Sequence, residues 1–200
     1  IRTLYLASSY HAGRFLHPHG PRPLIYTPED GTVYFHPRPD RYGAMKPRVA
    51  AMAREVDWLD SVGRRLERHG LRLAAWTVCL HNTRLGRLHP DAVVRNAFDD
   101  PYDYALCPSH PMVQHYVESL IADHGRYPLS AILLEAFRYM DVVHGEHHER
   151  WSIPLPKLER ELLGLSFAPA DLTAASLSGI DGMRVRQIVR EHLTRFFAAY

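Results

Sequence analysis

The chain has 200 residues, 46% of them hydrophobic, which is enough for one good core. A formal charge of +2, with Lys and Arg scattered, argues against a nucleic-acid partner. Two cysteines exclude a disulfide framework, and no apolar run approaches the ~20 residues that a membrane-spanning helix needs.

Thr3–Ser9 reads as a strand that leads into Tyr10 and His11, followed by a His-, Pro- and Gly-rich loop to about Pro23. Leu24–Tyr26 and Thr32–Phe35 flank Pro28-Glu-Asp-Gly31 and predict a small hairpin. From Val49 to about His69, apolar residues recur at spacings of three and four, the pattern of an amphipathic helix ended by Gly70. Leu71–Leu80 is the next strand, with Cys79 as a buried thiol, and it ends at His81-Asn82. Residues 82–110 read as irregular. Ser109 or His110, followed by Pro111, then signals a helix whose stripe is Val113, Tyr116, Val117, Leu120 and Ile121. A break at Tyr127-Pro128 opens a third strand, 129–136, whose apolar run predicts burial on both faces. Strand–helix–strand order predicts parallel, right-handed pairing of the three. Beyond Trp151 the text is helical, near 156–163, 169–177 and 181–200, with Asp181 as a cap.

Fourteen histidines are unusual for this length, and many fall in predicted loops. Imidazoles at strand ends serve acid–base chemistry, metal binding or sugar contacts. Glu135, where the third strand runs out, is the first catalytic candidate, because ligands of α/β proteins meet the sheet at the carboxyl ends of its strands. The loop behind it holds His144-Gly-Glu-His-His-Glu149. Its spacing is that of a zinc site, but Gly145 stands where the metalloprotease signature has its Glu.

The order of parts between Trp76 and Met140 resembles the glycoside-hydrolase-like TIM-barrel proteins related to the α-amylase superfamily. Those parts are the strand ending His81-Asn82, His89-Pro-Asp91, Arg95-Asn96, the Cys107-Pro-Ser-His-Pro111 turn, a helix opening at Met112, and a strand with one carboxylate. Ser9-Tyr-His11, His81-Asn-Thr-Arg84 and His144–Glu149 are similar to text in a set of actinobacterial proteins. Where that pattern commonly places Asp, this chain has Glu135, on a strand opening Leu129-Ser-Ala131.

The resemblance implies a (β/α)-barrel fold. Three strands are too few to close one, so the chain is either part of a barrel or a smaller open sheet; the first is expected, in a single domain that lacks its natural beginning. It also implies a carbohydrate substrate. Glycoside hydrolysis takes two carboxyl groups, ~5–5.5 Å apart for retention or ~6.5–9.5 Å for inversion. Glu135 and Glu146 are the expected pair, with Asp99, Asp100 and Asp141 as other second carboxylates. His11, His81, Asn82, Arg84, Tyr139 and His144 are the expected substrate contacts, and Tyr10, Phe15, Trp76, Phe137 and Tyr139 the rings for stacking. No cofactor is needed on this reading. The alternatives are a hydrolase with a divalent metal such as zinc on His11, His81, Glu135 and His144, and a barrel that binds saccharide without turnover.

Overall fold

A computed structural model describes residues 2–19, 24–143 and 150–200. Its centre is a five-stranded sheet built from β1 (Thr3–Tyr10), β4 (Thr32–Val33), β5 (Arg48–Val49), β6 (Arg72–Val78) and β9 (Leu129–Glu135), in the order β5-β4-β1-β6-β9. The three strands with the longest apolar runs, β1, β6 and β9, are mutually parallel. Two short hairpins complete the strands: β2 (Phe15–His17) with β3 (Leu24–Tyr26), and β7 (Val93–Arg95) with β8 (Pro101–Leu106).

Helices α1 (Trp58–Glu67) and α3 (Pro111–His124) cover one face of the sheet. Leu59, Val113, Tyr116 and Leu120 pack there with Leu73, Ala75 and the partly buried Leu6 and Leu134. His110 caps α3 by accepting the Met112 amide at Nδ1, and Pro111 fills its first position, where no amide hydrogen is needed. On the other face, the register sets Ala7 beside Trp76 and Leu133, and Tyr5 beside Ala74 and Ala131. This face is largely uncovered: Tyr5 is 55% exposed and Leu133 48%. A second apolar cluster (Ala97, Leu163, Phe167, Val189, Leu193) joins α4 (Lys157–Gly164), α5 (Pro169–Leu177) and α6 (Gly182–Phe197) to the turn of the β7–β8 hairpin. No described helix is long and apolar enough to cross a membrane.

Several expectations are corrected. The fold is α/β, but the sheet is mixed and open rather than part of a barrel wall. β4 runs antiparallel to β1, and among the described residues no strand pairs with the outer side of β9. β9 is accordingly not buried on both faces, since Ser130, Ala131 and Leu133 are exposed. Leu24–Tyr26 pairs with Phe15–His17 instead of Thr32–Phe35, and Thr32–Val33 joins β1. The helix expected from Val49 starts only at Trp58. Asp57 stops it there, accepting the Asp60 amide at 3.1 Å as its cap. Residues 82–110, read as irregular, hold α2 (Thr83–Leu88) and the β7–β8 hairpin.

Candidate functional site

Glu135 is the last residue of β9, in register with Val78 of β6. Its carbonyl accepts the Cys79 amide at 2.9 Å, and the next carbonyl, that of Ala136, accepts the Leu80 amide at 3.2 Å. Ala136 has φ 49°, a left-handed conformation that costs a side-chain-bearing residue roughly 1–2 kcal/mol. That strain sits immediately behind the candidate carboxylate, as strain at functional positions often does. The indole N–H of Trp76 donates to Glu135 Oε2. Trp76 lies two residues before Val78 on the neighbouring strand, so it shares a face with Glu135 and reaches it diagonally.

From Trp76 a row of rings crosses the strand ends. Tyr10 meets Trp76 edge-on, with centroids 5.8 Å apart at 90°. His11 stacks on Tyr10 at 4.6 Å, and His81 stacks on His11 at 4.2 Å and 17°. Tyr104 of β8 closes the row against His81 at 6.0 Å. Burial raises the Tyr10 hydroxyl above its ordinary pKa, and the charge of Glu135 adds to it, so the phenol stays a hydrogen-bond donor. Burial, then Glu135, also pushes the Cys79 thiol up to about 12; this buried cysteine is a poor nucleophile.

The expected site residues thus divide. Glu135, His11 and His81, with Tyr10 and Trp76, come together at the carboxyl ends of β1, β6 and β9. Asn82 is buried and structurally committed: Oδ1 caps α2 by accepting the Leu85 amide at 2.9 Å, and Nδ2 reaches the Gly31 carbonyl. The Arg84 amide donates to Asp30 Oδ2 at 2.8 Å and its guanidinium to the Lys46 carbonyl. Burial lowers the Arg84 pKa from its ordinary value. Tyr139 stands in a different cluster, donating to Asp171 and lying 2.8 Å from Ser109 Oγ. Phe137 is 55% exposed. Asp99 pairs with Arg95 and Arg186, Asp100 accepts from Asn96, and Asp141 pairs with Arg160, so each is engaged away from Glu135. Glu146 and His144 lie outside the described residues.

The described members of the zinc alternative, His11, His81 and Glu135, are not arranged to share a metal ion. No group of three or more His, Cys, Asp or Glu among those described is placed to hold a metal ion. Rings stacked in nearly parallel planes, as His11 and His81 are, also do not aim their in-plane lone pairs at one point.

Beside β1 lies a recess of about 500 Å³ that Tyr10 and Trp76 line but His11, His81 and Glu135 do not. Tyr10, Phe15, Tyr34, Met52, Trp58 and Trp76 are among the residues of its wall. Phe15 stands edge-on to Tyr10 at 5.7 Å. That Tyr34, Met52 and Trp58 meet was not legible, because sequence patterns place Tyr34 in a hairpin strand and Met52 and Trp58 in one helix. A pair of tryptophans with one outside the helical stripe, Trp58, was the available signal. Compared with protein-family models, curated proteins and solved structures, the chain gives no match.

Proposed function

We propose that the surface around Glu135 binds a saccharide and that Glu135 acts on its glycosidic bond. The observation that carries this reading is a carboxylate at a parallel strand's carboxyl end, tied by an indole N–H and flanked by ring walls. Aromatic faces accept the apolar face of a sugar ring, and the imidazoles of His11 and His81 and the Tyr10 hydroxyl supply hydrogen bonds to its hydroxyls. A carboxylate beside the anomeric carbon stabilises the positive charge that develops as the bond breaks. The Trp76 donor fixes its orientation and leaves further oxygen lone pairs for substrate. Glu135→Gln keeps the shape and removes the charge. On a panel of 4-nitrophenyl glycosides, turnover should fall by about 10²–10⁴-fold while the saccharide Kd is unchanged. Undiminished turnover in Glu135→Gln would exclude the role.

A second reading, binding without turnover, is favoured by one observation. Asp99, Asp100 and Asp141 each pair with a residue other than Glu135. Saturable saccharide binding by the native protein, with no hydrolysis or transfer of any glycoside in the panel, would decide for it.

A further inference from the structure

We infer that the recess beside β1 takes an apolar group attached to the saccharide, so that the ligand is a glycoside with a hydrophobic aglycone. The inference rests on the saccharide reading of Glu135 and deepens it. A sugar ring brings several hydroxyls that must keep hydrogen bonds when they leave water, whereas the recess wall is mainly ring carbon, aliphatic carbon and the Met52 thioether, with the His17 imidazole beside them. Its volume, about 500 Å³, is that of a small-molecule site. Polar atoms that would satisfy a sugar belong to Glu135, His11 and His81, which do not line the recess but meet Trp76, Tyr10 and one another in turn. Trp76 belongs to both compartments: it lines the recess and its N–H holds Glu135. Tyr10 does the same, lining the recess while its hydroxyl feels the Glu135 charge. A ligand lodged in the recess therefore emerges beside the carboxylate, with the bond to the sugar at the junction.

Two of the three tryptophans, Trp58 and Trp76, line the recess and make binding visible by fluorescence. Methyl and hexyl glycosides of the same set of sugars should be titrated into the native protein, with hexanol as a third ligand. The hexyl glycoside of the sugar that binds should do so at least about tenfold more tightly than its methyl counterpart, since five further methylenes are buried. In Met52→Glu, which places a charge in the recess at a half-exposed position tolerant of it, that preference should fall to about threefold or less. Trp58→Ala, which removes one wall, should show the same collapse. Equal binding of methyl and hexyl glycosides overturns the inference and leaves the saccharide reading standing. Equal binding of hexanol and hexyl glycoside, with no response to any methyl glycoside, overturns the saccharide reading and with it the assignment of the recess to an aglycone. A hexyl preference that survives in both variants overturns the location.

Discussion

Beneath the sheet, His124 is fully buried between hydroxyls and a carbonyl. Its Nε2 lies 2.8 Å from Ser8 Oγ and 3.3 Å from Thr77 Oγ1, and its Nδ1 2.5 Å from the Leu120 carbonyl. The carbonyl only accepts, so Nδ1 carries a hydrogen; in the neutral ring Nε2 then accepts from a hydroxyl. Burial lowers its pKa, against smaller opposing effects of the Leu120 carbonyl and Asp123. The unfolded chain takes up a proton here as pH falls through about 6.5 and the folded chain only at lower pH, so stability should be full above that value and decline below it. Urea unfolding between pH 7.5 and 5 checks this, and His124→Gln should flatten the decline. Gly31 makes an equally local demand. It has φ +58°, and a Cβ there would lie 2.0 Å from Asn82 Oδ1, the atom that caps α2. Gly31→Ala should cost more than about 1 kcal/mol by denaturant unfolding, because backbone and cap are both displaced.

At the scale of elements, α2 and β8 meet so closely that Gly86 is required between them. A Cβ on Gly86 would stand 1.8 Å from the Asp103 carbonyl oxygen. Backbone cannot yield as a side chain does, so Gly86→Ala should destabilise by roughly 1–3 kcal/mol, read as a lower urea midpoint with unchanged m. This is also the region the sequence concealed. Six residues of α2 are too few to show a helical stripe, and β8 begins with Pro101, which reads as a break. Where apolar runs are long, as in β1, β6 and β9, position and parallel pairing were both legible. The start of α1 was not, because Val49, Met52 and Ala53 continue its period by chance. What ends the helix there is Asp57, whose Oδ1 accepts the Asp60 amide and whose Oδ2 accepts the His36 amide and the Tyr127 hydroxyl, the last at 2.6 Å. Those partners come from elsewhere in the chain, which no local pattern reveals.

For the whole molecule, the difference between a barrel and an open sheet lies in what the strands do at their edges, and hydropathy along one strand does not report that. Glu135 was legible because a lone carboxylate ends an apolar run. The recess was not, because it gathers residues from β1, β6, the β2–β3 hairpin, the start of α1 and the connections that carry Pro28, Tyr34 and Met52. The open edge has a consequence of its own. β9 carries no charge before Glu135, no proline and no lysine, the devices by which edge strands avoid pairing with other molecules. Its exposed Leu133 continues the uncovered face that Tyr5 and Ala131 begin. Such an edge beside an apolar face should associate with itself as concentration rises. Leu133→Lys places a charge at that point. Because Leu133 is already half exposed, the change should alter folding stability by no more than about 0.5 kcal/mol. Sedimentation across a hundredfold concentration range should then show the average mass of the native chain rising, and that of Leu133→Lys staying at 23.0 kDa. Identical curves for the two proteins would show that the β9 edge is protected in solution by something other than its own sequence.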